Sequence, residues 1–266
     1  MVPILLYHSI SEGVPSKFRK WAVPPQIFAT QMAFLYELKY QPITVTQFAR
    51  AMAGGNERLP DRPVVLTFDD GFADFYTQAL PVLKQYGFTA TLYIATGLIG
   101  NTNHWLYDQS QIPFMTWDQI VEVSADGIEC GAHSHSHPQL DTLSSDSARQ
   151  EIFHSKMVLE HHLERQILTF SYPHGYFNST IRRLVQVAGY TSACAVKGAM
   201  SSAADDPFAL ARIIITADAD EKGYSSLLAG HGLRVAPRRE QKRTKVWRIM
   251  RRLAAILKRQ TSYATQ

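Results

Sequence analysis

The stretch Pro63-Val-Val-Leu-Thr-Phe-Asp-Asp-Gly71 decides how the chain is read. Its first six residues form an apolar, β-rich run, and its last three are two carboxylates and a glycine. That is a strand running into a turn. Residues 72–86 then read as a helix stopped by Gly87. The unit is strand, turn, helix, with acidic residues where the strand ends.

The same pattern repeats on both sides. Ile4–Tyr7 is a short apolar run fit for a buried strand, and further strands are expected at residues 90–95, 127–132, 168–172, 190–196 and 210–215. Helical spacing is found over residues 25–38, 116–124, 144–165 and 178–188, with Thr116 as an N-cap. Alternation of strand and helix implies βα units and a parallel sheet. Seven strands suit a barrel or distorted barrel better than an open sheet. The 266 residues, 45% hydrophobic, are enough for one large core. No stretch approaches the roughly 18 apolar residues of a membrane span. The N-terminus has no basic start, long apolar region or cleavage site, so no signal peptide is expected. Cys130 and Cys194 match no zinc spacing and read as reduced core thiols, as in a cytoplasmic chain; Cys130 is three residues from His133, which leaves it open as a ligand.

Three expected strands end in polar, metal-capable groups: Asp69-Asp70-Gly71, His133-Ser-His-Ser-His137 and Ser171-Tyr-Pro-His174-Gly175. In parallel α/β folds the C-terminal strand ends form the active-site rim. Two neighbouring carboxylates repel unless a cation lies between them. The plainer reading of Asp69-Asp70 is an acidic pair favoured by the dipole of the following helix. His133 and His137, with one carboxylate, make three protein ligands and an open position, the pattern of catalytic zinc. A His-rich surface loop is the alternative, and Asp70 at a neighbouring strand end argues against it. His135 points away in an extended segment. His8 closes the first strand and is a candidate general acid, since histidine titrates near neutrality. The long segment 97–113 holds His104, Trp105 and Tyr107, and reads either as a lid or as a solvated insertion.

Thr67-Phe-Asp-Asp-Gly71 followed by His133-Ser-x-x-His137 resembles the polysaccharide deacetylases of carbohydrate esterase family 4 over roughly residues 1–230. The resemblance implies a distorted (β/α) barrel. It implies Asp69 as the catalytic base and Asp70, His133 and His137 as ligands of a divalent metal, most often zinc, with cobalt or nickel in some members. It also implies removal of N-acetyl groups from N-acetylated sugars. Two departures stand out. Ser171 and His174 occupy positions where the family often has arginine and tyrosine. A backbone N–H after Pro173 still serves as an oxyanion donor, and Arg212 is the candidate substitute for the arginine that orients the base. The family's later Leu-x-His motif is not evident, and Tyr7-His8 stands in its place, as in the circularly permuted subgroup acting on poly-N-acetylglucosamine exopolysaccharides. Trp105, Tyr107, Tyr172 and Tyr176 are candidate sugar-stacking residues, with core or loop packing as the plainer reading.

Charge separates a tail from this body. Of 27 bases and 23 acids, 11 and one lie between Arg234 and Arg259, leaving 16 bases against 22 acids elsewhere. On a helical wheel of about 100° per residue, Val246, Ile249, Met250, Leu253, Ile256 and Leu257 share one face and the bases lie opposite. The expected organisation is a deacetylase domain over residues 1–230 and a basic amphipathic tail over 231–266. The tail suits peripheral binding to an anionic membrane at the inner face. The alternative is a helix packed on the barrel with its basic face in water. Nucleic acid is not expected as a partner, since the basic segment lacks the succession of aromatic rings that forms a base-stacking platform. Two rivals remain at this level: a metal amidohydrolase acting on another amide, such as a formyl group or a cyclic ureide, and a non-catalytic glycan-binding module on the same scaffold.

Overall fold

The structure is a computed structural model describing residues 1–54, 58–101, 112–237, 247–252 and 254. Trp105, Tyr107, His104 and most of the basic tail lie outside the described residues. The strands in chain order are β1 (Ile4–Tyr7), β2 (Gln41–Ile43), β3 (Pro63–Phe68), β4 (Thr91–Ile94), β5 (Glu129–Ala132), β6 (Thr169–Ser171), β7 (Ser192–Cys194), β8 (Ala199–Met200), β9 (Ile213–Ile214) and β10 (Arg234–Val235). The helices are α1 (Pro25–Glu37), α2 (Val45–Met52), α3 (Leu80–Tyr86), α4 (Trp117–Ala125), α5 (Ser145–Leu163), α6 (Ser179–Val187) and α7 (Glu221–Leu228).

The main sheet runs β7-β6-β5-β4-β3-β1-β9, with every pairing parallel. These seven strands are the seven expected from sequence; β1 and β3 keep the expected bounds and the other five are shorter. The sheet curls, and its two margins approach through a parallel bridge between Cys194 and Leu210, three residues before β9. The result is a distorted (β/α) barrel. β2 was not anticipated. It is short and half exposed, and it pairs with the start of β3 where β4 pairs with its end. The helix after it, α2, opens with a capping box at Thr44 and Gln47.

Burial on both faces explains why β3 reads as a continuous apolar run. Val64, Val65, Leu66, Thr67 and Phe68 are all fully buried. Helices α1 and α3 cover one side through Phe28, Met32, Leu35, Leu80 and Leu83. Each such side chain contributes about 1.5–3 kcal/mol by leaving water. The helix expected over residues 72–86 begins with a π-turn at Phe75–Ala79, where Pro81 leaves one amide bond unmade at the start of α3.

One strand position tolerates no side chain. A Cβ on Gly131 of β5 would lie 2.6 Å from two ring carbons of Tyr93 and 2.9 Å from Cγ2 of Thr169. The Tyr93 ring cannot swing away, because its hydroxyl is hydrogen bonded to Thr169 Oγ1 at 2.8 Å and to Cys194 Sγ at 3.2 Å. Gly131→Ala is expected to lose about 1–3 kcal/mol of stability through overpacking. A thermal melt read by circular dichroism checks this; an unchanged midpoint would show that the Tyr93 ring yields.

Candidate active site

The strand ends converge on one side of the barrel. Four of the six non-glycine residues with left-handed φ among the described residues sit there: Asp70 (78°), Ser134 (62°), His137 (59°) and His174 (57°). Such conformations cost about 1–3 kcal/mol each and persist where surrounding structure enforces them. Their effect here is directional. With Asp70 itself at positive φ, the turn begins one residue before Gly71, and the two adjacent carboxylates part company.

Asp69 goes to Arg212. The guanidinium donates to Asp69 Oδ1 and Oδ2, both at 2.7 Å, a bidentate pair with Arg212 fully buried. Arg212 also donates to Ser171 Oγ at 2.8 Å, Thr67 Oγ1 at 3.2 Å and the Ala195 carbonyl at 3.2 Å. Ser171 Oγ donates in turn to Asp69 Oδ2 at 3.2 Å. Burial alone would raise the Asp69 carboxyl's pKa. The positive charges of Arg212 and His133 outweigh it, and the group is held below its ordinary value of 3.8.

Asp70 goes to the histidines. Its Oδ1 lies 3.4 Å from His133 Nε2 and 3.2 Å from His137 Nε2. His133 Nδ1 lies 2.8 Å from the Ser171 carbonyl, which accepts only if Nδ1 carries the proton. That leaves Nε2 facing Asp70, the nitrogen a metal-binding imidazole offers once it is deprotonated. The histidine segment is fixed from outside by Glu151 of α5, which accepts from the backbone N–H of His135 and Ser136 at 2.9 and 2.8 Å and from Ser136 Oγ at 2.6 Å. His135 turns away to Thr96 and His154.

Asp70, His133 and His137 offer three ligand atoms within 4.8 Å of one another. Asp70 Oδ1 is buried and has no hydrogen-bond donor among the described residues. Burial pushes His137 down to about 3, against the pull of Asp70, so its imidazole is neutral at physiological pH. Asp70 lies well below the carboxylate range, the nearby histidines outweighing its burial. At His133 burial is outweighed by Asp69 and Asp70, which raise its pKa, so this imidazole would give up a proton to a metal. An ionised carboxylate and two imidazoles are the donor set a divalent cation takes, and the residues present fit one. Cys130 is not among them; it is buried in the sheet with its thiol pushed up to about 12.

His8 sits at the end of β1 with Nδ1 buried and without a hydrogen-bond partner among the described residues. Burial lowers its pKa, and the charges of Asp70 and Asp69 oppose that shift. His174 packs against His137, ring centres 4.7 Å apart, and stacks on Tyr176 at 5.7 Å. In the turn Pro173–Gly175 the N–H groups of Gly175 and Tyr176 bond within the turn. That of His174 enters no hydrogen bond among the described residues. Tyr172 and Pro173 are buried, and Tyr172 donates to the Phe208 carbonyl at 2.9 Å and stacks on Phe177. Its ring is core and offers no face to a sugar, which corrects its place among the stacking candidates. Alternation along the strand explains this, since Ser171 takes the site side. Tyr176 is on the rim.

Ser171 and Thr67 were quoted within the sequence motifs without a role toward Arg212, and Glu151 carries no local signal. The strand-end position of Ser171 was the available signal. The described part of the tail also lies against this rim. Arg251 and Arg252 pair with the buried Asp141, and Arg251 also with Gln139. Ile249 and Met250 are exposed. This is the reverse of a helix packed with its basic face in water. Among the described residues no helix is long and apolar enough to cross a membrane.

A carboxylate held ready beside a separate three-ligand cluster, on the C-terminal rim of a (β/α) barrel, is the layout of a hydrolytic centre. The polysaccharide deacetylase family profile matches residues 56–193, just over half of the 266. The chain belongs to that family and is, by it, a polysaccharide N-deacetylase. YxkH of Bacillus subtilis (strain 168) is 29% identical over 215 residues, 81% of this chain and 71% of that one. The poly-beta-1,6-N-acetyl-D-glucosamine N-deacetylase of Staphylococcus epidermidis is 24% identical over 212 residues, 77% of this chain and 72% of its own. The structure of the Streptococcus pyogenes deacetylase PplD in complex with acetate matches with a TM-score of 0.75 at 28% identity, over 85% of this chain and 97% of that one.

The Arg212–Asp69 pair has a pH signature. A carboxyl depressed in the folded state contributes stability that is complete above its ordinary value of 3.8 and is lost as pH falls through the lower folded value. Arg212→Met leaves Asp69 buried without its counter-charge, which costs about 3–5 kcal/mol. It also raises the pKa of Asp69, so the acid limb of the activity profile moves to higher pH. Melts at neutral pH and a pH–rate profile check both effects; an acid limb left in place would dissociate Arg212 from the ionisation of Asp69.

Proposed function

We propose that this chain is a metal-dependent hydrolase that removes N-acetyl groups from the N-acetylated sugars of a poly- or oligosaccharide. The observation that carries this is the separation of two adjacent aspartates. Asp69 is bound to Arg212 and stands outside the ligand set, while Asp70 belongs to it. A single chain position supplies both a base and a ligand because the backbone turns between them.

Asp70, His133 and His137 would hold the cation, and two imidazoles with one carboxylate favour zinc, with cobalt or nickel as alternatives. When bound, such an ion supplies Lewis acidity, acidifying water and polarising a carbonyl. Asp69, ionised through Arg212, takes the proton from the attacking water. The His174 N–H donates to the oxyanion that develops on the acetyl carbonyl. His8, enclosed beside both aspartates, gives a proton to the departing sugar amine. Its lowered pKa suits release of that proton, and the neighbouring carboxylates suit its recovery. Ser171 and Thr67 hold Arg212 and so position the base.

The S. epidermidis relative's name supports poly-β-1,6-N-acetylglucosamine as the substrate type, and the acetate in the PplD complex is the product such a reaction releases. The exposed Ile249 and Met250 support peripheral contact of the tail with an anionic membrane, and with it a place at the cytoplasmic membrane face. In flotation with anionic liposomes, the full chain is expected to rise with the lipid and a chain ending at residue 233 to stay below; equal behaviour would remove the membrane from this reading.

The reaction is tested by acetate release from β-1,6-linked N-acetylglucosamine oligomers, after chelation and again with zinc, cobalt or nickel restored. Release is expected only with metal. Asp69→Asn is expected to lose roughly 10²–10⁴ in kcat while binding metal stoichiometrically. Metal binding without release would point to another amide. Neither metal nor release would favour a glycan-binding module.

A further inference from the structure

Outward from the ligand cluster the rim carries a run of rings. His137 packs on His174 at 4.7 Å, His174 stacks on Tyr176 at 5.7 Å with planes 28° apart, and Tyr176 meets Trp247 at 5.5 Å. The last ring belongs to the basic tail, outside the segment the family profile covers. It leaves 47% of its surface exposed. A tryptophan that served only to glue the tail down would be covered.

The tail is held by charge instead. Asp141 follows the histidine segment directly, and its carboxylate is wholly buried. Its side-chain partners are Arg251, which donates to both oxygens at 2.7 and 2.6 Å, and Arg252, which donates at 2.9 Å. Arg251 reaches across to lie 4.0 Å over the Tyr176 ring and 5.5 Å from that of Trp247. Arg248 lies 5.9 Å over Phe177. Trp247 and Arg251 are one helical turn apart and face the same way. The ion pair with Asp141 therefore sets where the indole stands, and leaves half of it open beside Tyr176.

We propose that Trp247, with Tyr176 beside it, forms a stacking subsite for a neutral hexosamine unit of the glycan that lies beyond the immediate neighbour of the unit whose acetamido group is cleaved, out of reach of a dimer. A pyranose presents an apolar C–H face, and an open aromatic ring is its natural partner. The position is continuous with the reaction centre through His174 and His137. The Arg251–Asp141 pair acts as the positioning element. This inference rests on the glycan deacetylase reading above and deepens it, because it makes the tail part of substrate recognition.

The test compares the β-1,6-linked N-acetylglucosamine dimer and hexamer. Trp247→Ala is expected to raise KM for the hexamer about tenfold, the size of one lost aromatic contact, with kcat held, so that the hexamer-to-dimer ratio of kcat/KM falls by that factor. Trp247→Phe recovers most of it. Calorimetric titration of the hexamer into Asp69→Asn protein, with and without Trp247→Ala, is expected to show the same loss of affinity without turnover. Unchanged KM and affinity, or equal losses for dimer and hexamer, overturn the subsite while the deacetylase reading stands. Hexamer binding that weakens with Trp247→Ala in a protein that releases no acetate keeps the subsite and overturns the reaction. Absence of both release and binding in the parent overturns both.

Discussion

A guanidinium with no exposed surface must find its counter-charge inside the protein, and Arg212 finds it in Asp69. Removing either partner would strand a charge in a region from which water is excluded. The pair therefore constrains the barrel. Arg212 immediately precedes β9, and β9 pairs with β1, which pairs with β3. The curl that brings Leu210 to Cys194 also brings the guanidinium under the carboxylate. Closure of the sheet and ionisation of the base are one event. Ser171 at the end of β6, Thr67 in β3 and the Ala195 carbonyl just past β7 complete the ring of acceptors around the guanidinium, so three strands share the positioning of one side chain.

Against that fixed point, the backbone of Asp70 explains how two neighbouring carboxylates coexist. On a regular strand they would point to opposite faces. A turn delayed until Gly71 would bring both to the same rim, where their repulsion would raise one pKa. The left-handed φ at Asp70 gives a third outcome, in which each carboxylate has its own cationic or imidazole partners. Ser134, His137 and His174 repeat the device around the same centre. Together these strained residues cost several kcal/mol by the usual scale, and hydrogen bonds to Glu151, Ser134 Oγ and the Ser171 carbonyl fix the histidine segment among them.

The strands were legible because parallel strands buried on both faces read as unbroken apolar runs, and the cluster was legible because polar residues interrupted those runs at their ends. β2 was not, since a half-exposed strand containing Pro42 has no such signature. Arg212 stood out only as the arginine in an apolar stretch; its partner was a matter of barrel closure, which no local pattern carries. Tyr172 was misplaced because a residue just past a strand end can fall on either side of the sheet, and its hydroxyl reaches Phe208 instead of the rim. The left-handed residues are serine, histidine and aspartate, types that show no preference strong enough to announce φ.

The tail shows where composition misleads. A wheel with bases on one face and aliphatic residues on the other describes a helix that should keep its charges in water. It cannot say that a carboxylate more than a hundred residues earlier is buried and in need of cations. Asp141 has no shell of water, so each arginine that reaches it gains a charge-assisted bond that solvent cannot match. That exchange turns the helix over, with its arginines inward and Ile249 and Met250 outward. The excess of basic residues is thus partly structural. Among the described residues, Ile249 and Met250 are left exposed on the outer face and the Trp247 indole toward the rim.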